Sequence, residues 1–198
     1  MLPIDRIREA LNLHFLRVAD SVLIEGENNE KLRQEVIRMM ASDAYWDRNQ
    51  YGEFLASRDK SDKPEFFTPY TAEQLKSEGV QTYKLHGFDI GYALVPTRNG
   101  MIDIISVFNN EPNVRGIIDN ILDSAISHGG NCLDHYDTKL SDFYQANGFV
   151  EKRRDKWNDE YMHPLWDKNK WGEPDVVYRE LNPDVRKSLL LQRKMENV

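Results

Sequence analysis

The sequence predicts an α+β fold: a mixed, largely antiparallel sheet flanked by helices, with a helical N-terminal extension and a C-terminal helix. Three observations carry this. Residues 82–85, 88–95 and 101–108 are β-rich runs separated by short turns, and Asn99-Gly100 between the last two is a strong hairpin signal. Residues 102–136 then read strand, turn, helix, strand, a crossover that leads into a neighbouring strand. Apolar residues recur at three- and four-residue spacing near both ends of the chain, as amphipathic helices require.

In chain order, Ile4, Ile7, Leu11, Phe15, Val18 and Val22 form one stripe, and Pro3 suits a first helical turn, so residues 3–22 read as a helix. After the polar break at 25–29, Leu32, Val36, Met39 and Met40 mark a second helix, and Tyr45, Tyr51, Phe54 and Leu55 a weaker third. Residues 57–69 are polar and proline-bearing, the best linker. Thr71 with Gln74 is a capping-box pattern, and Gly79 suits the end of the short helix it opens. Beyond the meander come a helix over 115–128, a strand over 131–136, a short helix ending near Phe149, and a strand over 150–157. A segment bearing Trp157, Tyr161, Trp166 and Trp171 precedes the last strand, 176–181. Asn182-Pro183 then opens a terminal helix with Val185, Leu189 and Leu190 on one side. The expected organisation is an extension (1–60), a sheet domain (70–181) and a terminal helix (182–198).

Composition narrows the function classes. Of 198 residues, 33 are acidic and 26 are Lys or Arg, a net charge of −7, which argues against a surface devoted to nucleic acid. The densest basic run, Lys152-Arg153-Arg154-Asp155-Lys156, reads as a solvated face or as a local nucleic-acid contact. No apolar run approaches the roughly 18 residues of a membrane span, and the charged N-terminus is neither a secretory signal nor a transit peptide, so a cytoplasmic location is expected. The single cysteine, Cys132, lies in an apolar strand and reads as a structural thiol. His14, His86, His128, His135 and His163 lack the spacing of a zinc site, so no metal is expected. No glycine-rich phosphate loop or serine elbow is present.

The most specific stretch is Phe143-Tyr144-Gln-Ala-Asn-Gly148-Phe149, with Leu140 one turn earlier. Together with the element order over 71–181 it resembles the GNAT acetyltransferase superfamily. Residues 133–144 and Pro174-Asp-Val-Val are also similar to a GNAT-like group of bacteriophages and prophages, which would place the protein in a bacterial host's cytoplasm.

The resemblance implies acyl-CoA-dependent N-acetyl transfer with acetyl-CoA as donor. The pantetheine arm would lie along Ser106, Val107 and Phe108, and the pyrophosphate at Val114, Arg115, Gly116 and the helix start at Ile117. The turn departs from the family pattern: Glu111 stands where Gln or Arg is expected, and Val114 at a glycine-like position. Tyr144 matches a tyrosine that protonates the departing thiolate. Asp137 falls where many members carry Asn, and caps the short helix or orients the cofactor arm. His135 is a base for the amine or, by strand alternation, a core histidine. The tryptophan-bearing segment is either one wall of the acceptor pocket or local core. The acceptor would be an amine on a small molecule or a protein. Two other readings stand beside this one: a noncatalytic GNAT-like module that binds a protein partner, and a nucleobase-modifying phage enzyme. The stripe of the first helix must be covered by the domain or by a second copy, as in a homo-oligomer.

Overall fold

The computed structural model describes residues 27–196; the helix expected over 3–22 lies outside them. Helix α1 (Glu27–Met40) leads through a 3-10 turn (Asp43–Tyr45) to strand β1 (Trp46–Arg48) and helix α2 (Tyr51–Arg58). A second 3-10 turn (Pro64–Phe66) and helix α3 (Ala72–Ser77) precede the meander β2 (Gln81–Leu85), β3 (Ile90–Pro96) and β4 (Ile102–Asn109). Then follow α4 (Ile118–Ser127), β5 (Cys132–Tyr136), α5 (Leu140–Ala146), β6 (Phe149–Asp155), a third 3-10 turn (Asp159–Tyr161), α6 (Lys168–Trp171), β7 (Val176–Leu181) and α7 (Pro183–Glu196). The seven strands form one sheet in the order β1-β2-β3-β4-β5-β7-β6. Every neighbouring pair is antiparallel except β4 and β5, which run parallel. This is the α+β architecture expected, a mostly antiparallel mixed sheet with helices on both faces.

Local chemistry sets the boundaries. Thr71 and Gln74 make both arms of the capping box, with Gln74 N–H donating to Thr71 Oγ1 (3.2 Å) and Thr71 N–H to Gln74 Oε1 (2.8 Å). The β3–β4 hairpin closes with Thr97 N–H donating to Met101 O (2.9 Å), and Gly100 sits at φ +79°, where glycine alone is unstrained. The region around Tyr45 differs from expectation, for Trp46–Arg48 extends and pairs with β2 instead of coiling. Its anchor is Trp46, buried with its indole N–H on Met40 O (3.1 Å) and its ring edge-on to Tyr92 at 5.1 Å.

Alternation along the strands makes two cores. On one face α1, α4 and α5 cover Tyr92, Leu94, Ile104, Leu133 and Phe149 with Val36, Met39, Ile121 and Leu122. On the other, Phe54 from α2 and Leu75 from α3 pack on Val80, Ala93 and Phe108. Residues 27–60 therefore share both cores and the sheet with residues 70–181. Gly91 permits the second core to close: a Cβ there would stand 2.8 Å from the Phe108 ring and 2.6 Å from Tyr83 O. Among the described residues, no helix is long and apolar enough to cross a membrane, and no group of three or more His, Cys, Asp or Glu could hold a metal ion.

Candidate active site

The parallel pair β4/β5 is joined at one end only. Asp103 opposite Cys132 is its sole registered pair, and Asn131 clamps that end, its Oδ1 accepting from Ile102 N–H (2.8 Å) and its N–H donating to Ile102 O (2.9 Å). Beyond the clamp β4 runs on to Asn109 and β5 to Tyr136 without ladder bonds between them, so the strands open into a V. A bulge helps to turn β4. Ser106 and Val107 together face Tyr92, because Ile105 pairs Ala93 and Phe108 pairs Gly91, and Ser106 takes φ +51°, rare for a residue with a Cβ. Ser106 and Val107 are half-buried at this opening, whereas Phe108 turns into the α2/α3 core.

The turn from β4 to α4 is folded around buried apolar anchors. Val114 and Ile117 are fully buried in the core, so valine stands at the glycine-like position with its side chain turned inward. Gly116 supplies the positive φ there, +69°. Glu111 is turned back to β3, accepting the Asp89 N–H at 2.6 Å. Arg33 of α1 holds the Arg115 and Gly116 carbonyls (3.1 and 3.4 Å). Arg115 itself projects into solvent. The first intrahelical bond of α4 comes from Ile121 N–H to Ile117 O (3.1 Å), so the amides before Ile121 are open donors. Asp119 in the same turn is engaged by Asn147 Nδ2 (2.7 Å) and by Arg193 (3.3 Å).

On the α4/α5 side of the V stands Tyr144. Its ring is buried against His135 (4.9 Å) and Phe149 (6.3 Å). Burial, with the charge of Asp134 second, pushes the phenol up to about 12, so it stays protonated. His135 does not share this freedom. Its Nδ1 donates to Tyr136 O (2.7 Å) and its Nε2 accepts from Arg179 Nε (3.0 Å), and burial holds the ring below its ordinary pKa. With both nitrogens used and the side chain on the core face, His135 is a satisfied core histidine with no lone pair for an amine. Asp137 also spends its carboxylate locally, accepting from Ser141 Oγ (2.7 Å) and pairing with Arg154. Arg154 first, then Ser141, keeps it below the usual carboxylate range. It ties the start of α5 to β6.

The opposite face of the V carries two carboxyls on which sequence reasoning did not settle. Asp103 of β4 and Asp134 of β5 flank the closed end, on the face that also carries Cys132 and Tyr136. Burial, then the neighbouring Asp134 charge, raises Asp103 to about 7. Among the described residues, its Oδ1 is shut off from solvent and has no hydrogen-bond partner. Asp134 is raised too, by burial, which its own backbone N–H and Arg153 only partly offset. Solvent nevertheless reaches Asp134; a carboxyl wet on one side and walled by protein on the others is what a cleft produces. Cys132 between them is pushed up to about 12 by burial and then by Asp103, so it is a thiol and not a nucleophile. Tyr70, Tyr136 and Tyr178 are all raised, burial first and Asp134 contributing to each. A charge in the middle of the apolar runs Ile102-Asp-Ile-Ile and Cys132-Leu-Asp-His was the signal available in the sequence.

Past these acids, the segment between β6 and β7 folds onto the end of β5 as an aromatic wall. Tyr136 meets Trp166 at 4.5 Å and Trp157 at 5.8 Å, and Phe66 meets Trp166 at 5.3 Å and Trp171 at 4.9 Å. Buried Glu65 takes the Trp171 indole N–H at 2.7 Å. The basic run on β6 is neutralised by acids: Lys152 by Glu180, Arg153 by Asp155, Arg154 by Asp137 and Glu151, and Lys156 by Asp175.

No family model and no curated protein matches this sequence. Among solved structures, the chain is similar to a Bacillus subtilis acetyltransferase in complex with CoA, at 16% identity over 52% of this chain and 75% of that one, with a TM-score of 0.37. It is also similar to an acetyltransferase of the GNAT family from Staphylococcus aureus Mu50, at 17% identity over 80% of this chain and 98% of that one, with a TM-score of 0.34.

Proposed function

We propose that this chain is an acyl-CoA-dependent N-acyltransferase acting on an amine. The observation that carries the reading is the V between β4 and β5, with a protonated phenol, Tyr144, on one face and a half-ionised carboxyl, Asp103, on the other. Acyl transfer to an amine needs those two functions, a proton acceptor for the incoming ammonium and a proton donor for the leaving sulfur.

The residues present fit such a donor molecule. The edge of β4 beyond Asp103 offers unpaired backbone groups to a pantetheine arm. The open amides at the start of α4, with Arg115 beside them, suit a pyrophosphate. Val114 and Glu111 do not obstruct, the first turned into the core and the second towards Asp89. The bound donor would supply an activated acyl thioester. The Asp103 carboxylate takes the proton of the acceptor's ammonium, a task suited to a base with a pKa near working pH. Tyr144 Oη donates towards the sulfur. A phenol at about 12 is a weak acid for a thiolate of ordinary pKa near 8.5, so Tyr144 acts chiefly as a hydrogen-bond donor to developing charge. The aromatic wall from Phe66 to Trp171 borders the acceptor.

A bacteriophage or prophage origin rests on the residues between Leu133 and Val177 alone. A nucleobase acceptor is disfavoured by the acids that neutralise β6. The test is calorimetry of the full chain with acetyl-CoA, followed by a free-thiol assay against a panel of amines. Saturable heat and amine-dependent thiol release support the reading. Silence at millimolar acetyl-CoA overturns it in favour of a protein-binding module.

A further inference from the structure

We infer that Arg33 of α1 is a positioning residue for the donor's pyrophosphate, setting from behind the backbone amides of the turn between β4 and α4. The inference rests on the acyl-CoA reading for the identity of the ligand and on the turn itself for its geometry. Arg33 lies midway along α1 and meets the turn with one edge of its guanidinium, Nε donating to Arg115 O (3.1 Å) and Nη2 to Gly116 O (3.4 Å). The two carbonyls therefore point the same way, towards α1. No peptide bond among the described residues is cis, and in a trans peptide the N–H points opposite to the carbonyl of the same unit. The Gly116 and Ile117 N–H groups are thus turned together away from Arg33. Neither donates a hydrogen bond among the described residues. Two successive open amides, with Gly116 at φ +69°, make a nest of the kind that binds anions.

The place of α1 in the fold sets the direction these amides face. Helix α1 ends against β1, where Trp46 donates its indole N–H to Met40 O (3.1 Å), and in the sheet β1 lies on the far side of β4 from β5. Arg33 therefore approaches the turn from the β1 side. Amides that face away from it face the side of β5, where the V opens. Arg33 does two things there. Its fork fixes both peptide planes, which glycine at 116 would otherwise leave free to rotate. Its charge, shared with Glu30 at 3.1 Å, polarises both peptide units, and a carbonyl that accepts from a cation makes the N–H of its own unit a stronger donor. Arg115, exposed on the same turn, adds a second cation beside them. The arrangement needs arginine, since a lysine ammonium is a point charge without an edge of two parallel donors.

The test uses the full chain with CoA, with pantetheine, which lacks the pyrophosphate, and with inorganic pyrophosphate alone. Amide NMR should show the Gly116 and Ile117 signals moving saturably with inorganic pyrophosphate. Arg33→Met keeps the apolar stem without the fork. It should weaken CoA and pyrophosphate by about tenfold, while pantetheine affinity and the melting midpoint stay near wild type. Arg33→Lys keeps the charge and should recover only part of the loss. A merely structural contact predicts a lower midpoint and equal losses for CoA and pantetheine, and that result overturns the inference. So do Gly116 and Ile117 signals that pyrophosphate leaves unmoved, or an Arg33→Lys chain that binds as wild type, which would reduce the role to charge alone. CoA heat that Arg33→Met leaves unchanged overturns the inference and leaves the acyl-CoA reading standing. Pyrophosphate held at these amides and weakened by Arg33→Met, in a chain silent to CoA, does the reverse.

Discussion

Asp103→Asn separates the role of the carboxyl from its place in the fold, because the amide keeps the shape and removes the titration. An aspartate ordinarily titrates near 3.8, and Asp103 is held at about 7. Such a group binds more protons folded than unfolded. Its favourable contribution is therefore complete below about pH 4 and is lost as pH rises through 7. A gap of about 3 pKa units is worth about 4 kcal/mol at 1.36 kcal/mol each, so above pH 8 the ionised Asp103 costs the fold an amount of that order. The cause is burial first and the Asp134 charge on β5 second, with the Ile104 N–H opposing them.

Melting curves of wild type and Asp103→Asn should therefore lie within a few degrees of one another near pH 4.5 and separate by about 10 °C near pH 8, the variant being the more stable. Turnover at pH 8 should move the other way and fall by roughly 100- to 10,000-fold, with acetyl-CoA affinity unchanged. A substitution that stabilises and disables together is the expected mark of a strained catalytic group. Midpoints that stay parallel from pH 4.5 to 8, or a carboxyl titrating near 4 by NMR, would refute the reasoning.

Asp134→Asn removes a negative neighbour, so the acid limb of the pH–rate profile, set by Asp103, should move to lower pH; an unmoved limb would mean that the two carboxyls are not coupled. Arg115→Ala should weaken acetyl-CoA binding about tenfold at low salt and less at high salt, measured by calorimetry. Tyr144→Phe should lower turnover by about 100-fold or less, since a phenol near 12 donates a hydrogen bond better than a proton, while binding heat stays constant. Trp166→Ala, which opens the centre of the aromatic wall, should cost about 3 to 5 kcal/mol by chemical denaturation.

The elements that sequence reasoning placed well are those whose signals are local. The capping box at Thr71 and Gln74, the Asn99-Gly100 hairpin and the strand Val176–Leu181 each depend on neighbours within a few residues. Strand β1 escaped because three residues are too few to display a period of two. The helix expected from Arg115 begins instead at Ile118, because Gly116 must first take a left-handed turn. The site was legible in outline and not in its charges. Tyr144 could be read from a motif, but the state of Asp103 depends on burial and on Asp134, 31 positions away. His135 shows the converse. Its candidacy came from residue type, and Arg179, its partner on β7, was invisible until the strands were paired.

The two faces of the V also explain why the acids lie on one side and the phenol on the other. Asp103 and Cys132 are partners at the clamp, so the side chains at 103, 132, 134 and 136 all emerge on the α2/α3 face. His135 points the opposite way, and Tyr144 follows it because α5 packs there. The charge of Asp134 adds to burial in raising Tyr144, so the acids and the phenol lie close enough across the sheet to interact. A ladder continuing between β4 and β5 would close the gap and separate acid from base. The Ser106 bulge, with its positive φ, helps to keep the gap open, and returning β4 to regular pairing with Tyr92 by deleting Ser106 should abolish turnover while the Trp46–Tyr92 and Phe54–Phe108 packing survives. Loss of folding together with activity would instead show that the bulge serves the sheet and not the opening.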